Sequence, residues 1–319
     1  MKNIFLQHIR IGVLLAILFL LATMFAAAAG TQQEATVTLA DDMGNEVHLP
    51  EPPQSILSLM LFSDEVLLKM LPADRFAAVT SIGSNPVYSN TAEQAAGITP
   101  VIEFTVEQVI NLYPDLVIAA DWSEADKIQQ LRQAGIPVYQ IATPQNLEDI
   151  TAGIRTLGRL VNERRGADSI INDMNQRIAR LTAAVDAIPE QERVTALDYN
   201  SWNSASGSAT TWNLVLQLAG ITNAAAALEA DNFGQAPLSK EALIDIDPDI
   251  IFLPGYIWGD DTSADAFFRQ ITEDPALAGM QAIENDRVYM FPERLKGTYS
   301  QYLIEAAETA AAMAYPDHF

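Results

Sequence analysis

Cysteine is absent from this chain of 319 residues. That excludes disulfides, thiolate metal sites, a cysteine nucleophile and the lipidated cysteine of a bacterial lipoprotein. Histidine is nearly absent: His8, His48 and His318 are the whole set, too few and too scattered for a His-dependent triad or a multi-histidine metal centre. Basic residues are scarce as well, 18 Lys and Arg against 41 Asp and Glu, for a formal charge of -23. A surface of that sign repels nucleic acid. The chain has no Walker A motif and no dinucleotide fingerprint. The run Ser204 to Ser208, SASGS, lacks the spacing of a nucleophile elbow and reads as a loop. The acidic pairs Asp41-Asp42 and Asp260-Asp261 read as solvated turns.

Long apolar runs are confined to the N-terminus. Lys2 and Arg10 precede an unbroken apolar stretch from Ile11 to Ala22, and Ala26 to Ala29 supplies small residues for a cleavage site. Residues 1–29 therefore read as a secretory signal peptide that exports the chain, or, left uncleaved, as a membrane anchor. With no cysteine to carry lipid, the expectation is a protein that is not a lipoprotein. No later segment could cross a bilayer.

What the chain has in quantity is apolar residues, 49% of the total, enough for substantial cores. It also repeats itself. Thr105 to Asp121, TVEQVINLYPDLVIAAD, returns as Ser239 to Gly255, SKEALIDIDPDIIFLPG, with Glu107/Glu241, Ile110/Ile244, Pro114/Pro248 and Asp115/Asp249 identical. Each copy reads as a short helix with a hydroxyl N-cap and Glu in its first turn, where the helix dipole favours an anion. Pro-Asp ends the helix, and the apolar run after it fits a strand buried on both faces of a parallel sheet.

Strand and helix signals alternate around both copies, the rhythm of α/β lobes. Between them, Arg164 to Ile188 places Ala167, Ile170, Ile171, Met174, Ile178, Leu181, Val185 and Ile188 on one helical face. The fold class expected is α/β: two Rossmann-like lobes with central parallel sheets, joined by one long helix, with a ligand cleft between the lobes. The boundaries expected are an N-terminal lobe over 30–163, the interlobe helix over 164–188 and a C-terminal lobe over 189–319. A packed helix as the joint predicts small relative motion of the lobes.

Ligands of open α/β sheets sit beyond the carboxyl ends of the strands. Those ends carry Trp122, Trp202, Tyr256, Trp258, Arg294 and Lys296, large residues where turns favour small polar ones. Aromatic walls with a few polar groups suit a ligand cleft. No group of titratable side chains assembles into a catalytic centre, so the chain reads as a binding protein, not an enzyme. The rivals are a secreted two-lobed enzyme and a zinc or manganese carrier; the latter needs converging His and carboxylate ligands.

These features resemble the periplasmic substrate-binding proteins of ABC importers for ferric siderophores, haem and cobalamin. The resemblance rests on DDMGNEVHLPEPPQSILSL near the start, on TVEQVINLYPDLVIAA and its echo, and on the long helix between the copies. It implies an inner-membrane ABC permease dimer as partner, whose arginine pockets receive Glu107 and Glu241. It also implies a ligand held between the lobes near Phe62, Tyr88, Trp122, Trp202, Trp258 and Arg294, with Tyr256 and Tyr299 as further candidates. Ferric siderophore comes first among the metal-chelate ligands. A corrinoid follows closely, favoured by the Trp-rich turns. Haem would need ligation by Tyr88, Tyr256 or Tyr299. A monomer is expected, with no resident cofactor or metal.

Overall fold

The computed structural model describes residues 37–101, 104–257 and 263–319. The signal segment, Trp258 and Asp260-Asp261 lie outside the described residues. The chain starts with a hairpin, β1 (Val37–Ala40) paired antiparallel with β2 (Glu46–Leu49). Its turn is built on Asp41, whose carboxylate accepts hydrogen bonds from the backbone N–H groups of Met43 and Asn45 and pairs with Arg132 at 2.6 Å. Asp41 is thus buried, not solvated as its sequence context suggests, because it pins the hairpin to the first lobe.

The N-terminal lobe holds a five-stranded parallel sheet: β3 (Ile56–Ser58), β4 (Phe76–Thr80), β5 (Pro100–Val101), β6 (Leu116–Ala120) and β7 (Val138–Ile141), in spatial order β5-β4-β3-β6-β7. Its helices are α1 (Leu61–Met70), α2 (Val106–Asn111), α3 (Ala125–Gln133) and α4 (Leu147–Leu160). The spine follows as α5 (Arg164–Asp186), 23 residues, about 34 Å long at 1.5 Å per residue.

The C-terminal lobe repeats the plan with β8 (Thr195–Asp198), β9 (Ser204–Ser206), α6 (Thr211–Leu218), β10 (Thr222–Asn223), β11 (Gln235–Pro237), α7 (Lys240–Ile246) and β12 (Ile250–Pro254). It continues through α8 (Ser263–Thr272), α9 (Gln281–Glu284), β13 (Val288–Phe291), α10 (Glu293–Lys296) and α11 (Leu303–Ala314). Its parallel sheet runs β10-β8-β12-β13, with β9 and β11 forming a separate antiparallel pair. In both sheets the first strand of the lobe lies inside, flanked by the second and by the strand of the repeated unit.

The repeat holds at the level of single hydrogen bonds. Thr105 and Ser239 cap α2 and α7 by accepting from the N–H of Gln108 and of Ala242, each at 3.2 Å. Tyr113 and Asp247, at matching positions, both adopt a left-handed backbone with φ of 48° and 44° that turns the chain out of the helix. The two matching aspartates then reach sideways. Asp115 accepts from the N–H of Gln54 and Ser55 ahead of β3, and Asp249 from the N–H and hydroxyl of Thr195 at the start of β8. Each aspartate so fixes the register of the strand beside its own.

Side chains alternate across each sheet, and the two faces serve different cores. Leu57, Val117, Ala119 and Val138 pack outward with Ile128 and Leu131 of α3, and Leu197, Ile251 and Leu253 with Phe267 of α8. The opposite faces, with Ile56 and Ile118 in one sheet and Ala196, Ile250 and Phe252 in the other, join a single core that runs through α4, α5, α6 and α11. The apolar stripe of α5 lies in that core. An Arg177–Glu308 ion pair fastens α5 to α11. The lobes are therefore joined by a shared interior and not by the helix alone.

Candidate functional site

The strand order of each sheet reverses between β3 and β6 and between β8 and β12, so the chain opens a crevice at the carboxyl ends of those strands. A cavity of about 300 Å³ lies there on the C-lobe side. Tyr88, Asn200, Trp202, Gln235, Tyr256 and Glu293 line it, with the Asp198–Lys296 ion pair in its wall. A larger cavity, about 450 Å³, opens beside α5 at the far end of α1, lined by Lys69, Met70, Asp173 and Arg177. It lies away from the strand ends and has one aromatic ring, Tyr302, so the smaller one is the better candidate.

Tyr88 comes from the N-lobe loop after β4, yet its ring meets Tyr256 edge-on at 5.7 Å, 88° between planes. Burial, then Tyr256 and Glu293, push its phenol pKa up. Trp202, 81% exposed, stands at the lip. Asp198 is 1% exposed and fully engaged: it accepts from the Ser206 N–H and hydroxyl and pairs with Lys296 at 2.7 Å. Lys296 also sits 5.1 Å over the ring of Trp212, the one buried tryptophan among the described residues. One oxygen of Glu293 is buried without a hydrogen-bond partner among the described residues. Burial, opposed by Lys296, raises its carboxyl pKa.

The cavity therefore gathers Tyr88, Trp202 and Tyr256 of the expected residues. Trp122, 70% exposed, follows β6 on the N-lobe rim and does not line it. Three expectations are corrected. Phe62 is 0% exposed, because α1 starts at once after β3 and turns its first residues inward. Gly153 leaves it room, since any side chain there would overlap the Phe62 ring. Tyr299 stacks on Phe62 at 6.4 Å inside the same interior, and burial pushes its phenol pKa far up. Arg294 donates to Asn90 at 2.9 Å and pairs with Glu305 at 3.2 Å, so its charge is spent within the protein. Lys296, the other basic residue of this strand end, pairs with Asp198 in the cavity wall.

Glu107 and Glu241 stand exposed in the first turns of α2 and α7. The backbone N–H of Glu241 itself and the Ser239 hydroxyl lower the Glu241 carboxyl pKa, which keeps it ionised at neutral pH.

Sequence reasoning missed Glu65 and Asp64, buried acids at the start of α1. Their signal was available: two charges inside the otherwise apolar run MLFSDEVLL. Ser63 donates to the Met60 carbonyl from within this helix. Burial raises the Asp64 pKa from 3.8 to about 7, against the hydrogen bonds from Thr80. The folded state then holds a proton that the unfolded chain releases, so this group lowers stability as pH rises from about 4 to about 7. Asp64→Asn is expected to flatten that decline, gaining up to roughly 4 kcal/mol relative to the native chain at pH 8. Denaturant midpoints at pH 5 and pH 8 check it.

Known proteins place this architecture. A Bacillus subtilis (strain 168) protein, named an uncharacterized ABC transporter substrate-binding lipoprotein YvrC, is 26% identical over 89% of this chain and 87% of its own. The expectation of a periplasmic protein that is not a lipoprotein is corrected by this relative, whose name is that of a lipoprotein. The missing cysteine closes only the thioether route within these 319 residues; the location that stands is periplasmic in type. A cobalamin-binding protein of Halobacterium salinarum is 25% identical over 67% of this chain and 58% of its own length. Among solved structures, the molybdate periplasmic binding protein MolA of Haemophilus influenzae superposes with a TM-score of 0.72 at 18% identity, covering 89% of this chain and 92% of that one. Residues 56–295 match the periplasmic binding protein family, and the chain belongs to that family.

Proposed function

We propose that the protein captures a corrinoid in the cleft between its lobes and hands it to an ABC permease through Glu107 and Glu241, by differential affinity and without bond making. The observation that carries this reading is the composition of the cavity: aromatic walls from Tyr88, Trp202 and Tyr256, amides from Asn200 and Gln235, and, among the described lining residues, no cation besides Lys296, which is paired with Asp198. A corrinoid presents a flat apolar ring edged with amides, which stacks on such walls and exchanges hydrogen bonds with Asn, Gln and Glu.

This reverses the order suggested by sequence alone, where ferric siderophore came first. Anionic chelates need basic residues, and Arg294 and Lys296 are paired with Glu305 and Asp198. Haem ligation by Tyr299 is disfavoured because its ring is stacked on Phe62 against the interior. The Halobacterium relative's name supports the corrinoid reading. A cavity of about 300 Å³ holds one edge of so large a ligand.

Titration of the purified protein with cyanocobalamin, followed by calorimetry and visible absorption, is expected to give a dissociation constant below about 1 μM, or about -8 kcal/mol. A ferric trihydroxamate and haem serve as parallel ligands. Tighter binding of either would replace the corrinoid.

A further inference from the structure

The loop between β4 and β5 carries Tyr88 across to the C-lobe cavity, and consecutive acids of α1 hold it on either side of Tyr88, at its start and at Asn90. At the first end, Asp64 accepts from the Thr80 N–H and hydroxyl, and that hydroxyl accepts from the Gly83 N–H at 2.8 Å. A side chain at Gly83 would collide with the Asp64 carboxylate, so only glycine permits this approach. Just past Tyr88, one Glu65 oxygen accepts from both the backbone and the side-chain N–H of Asn90, each at 2.8 Å. The other oxygen accepts from Ser300 and Thr298 of the C-lobe. Asn90 also donates to the Arg294 carbonyl at 2.9 Å and accepts from the Arg294 guanidinium at 2.9 Å. Gln301 closes the knot by donating to the Glu65 carbonyl.

We propose that Asn90 is a positioning residue that sets the width of the ligand cleft, by locking the Tyr88 loop of one lobe onto α10 of the other. Its amide is the one side chain of this length that offers donors to Glu65 and an acceptor to Arg294 at once. The shared core behind the cleft fixes the back of the two lobes; the Glu65–Asn90–Arg294 knot fixes the front. This inference is independent of which ligand the cleft takes.

The absence of cysteine makes a direct measurement possible. Gln129→Cys on α3 and Gln270→Cys on α8, both exposed, carry spin labels on the two lobes, and their separation is read by pulsed electron resonance without ligand. The native background is recorded at about pH 5 and about pH 8, because Asp64 and Glu65 titrate upward of ordinary carboxylates beside Arg294, Glu305, Tyr299 and Tyr302. One narrow distance distribution is expected at both. Asn90→Ala is expected to broaden or shift it by several ångströms at both pH values.

Asn90→Asp is the sharper variant. Its carboxyl faces Glu65 and can restore the hydrogen bond only when the pair shares a proton. The distribution is therefore expected to be narrow at about pH 5 and broad at about pH 8, a reversal within one folded protein that a merely structural defect would not show. A native-like distribution in Asn90→Ala overturns the proposal, as does an Asn90→Asp distribution of equal width at the two pH values.

Discussion

Replacing Glu107 and Glu241 together by arginine is expected to abolish transport through the partner permease while ligand affinity in solution stays within about twofold of native. Both side chains are exposed at matched helix starts, outside the cavity and with no part in the core. An exposed ion pair contributes at most about 1 kcal/mol, so either alanine variant alone should weaken transport only partly. Two pairs engaged at once multiply through effective concentration. Reversing both charges sets like against like, which costs several kcal/mol. Ligand-stimulated ATPase activity of the reconstituted permease gives one readout and calorimetry of ligand binding the other. Loss of affinity with stimulation intact would contradict the assignment of these two residues.

The second large effect concerns Lys296. Lys296→Met is expected to destabilise the fold by about 3–5 kcal/mol, because it strands the buried carboxylate of Asp198 without its cation. The double variant Lys296→Met with Asp198→Asn should recover most of that loss, since an amide can keep the Ser206 hydroxyl as partner. Urea denaturation of the three proteins checks both statements. If Lys296 served as a ligand reader instead, the single variant would keep its stability and lose affinity.

The sequence made the repeated units legible because their signals are local: a capping hydroxyl, an acid one turn in, a helix stop and a short apolar strand within seventeen residues of each other. What Asp115 and Asp249 do was not legible. Their partners lie at Ser55 and Thr195, far away along the chain, and only sheet formation brings them alongside. The same limit explains Arg294, whose partner Asn90 belongs to the other lobe. Phe62 was misplaced for a different reason. Here β3 stops at Ser58 and the helix starts at Leu61, which rotates Phe62 into the interior.

Polar strands were the other blind spot. Ser204–Ser206 pairs with Gln235–Pro237 beside the cavity, yet neither segment carries the apolar alternation by which strands are recognised. Tyr88, by contrast, entered through the family resemblance, and nothing local announced that its ring would cross to Tyr256.

The interior common to both halves bears on how such a molecule could have arisen. A gene for one half alone would leave the stripe of α5, or the faces of α6 and α11, open to water, an oily surface that monomers do not tolerate. Such an ancestor could have persisted only as twins, each covering the other, before fusion made the partnership permanent. The same reasoning says that nicking the backbone between the halves should not set them free.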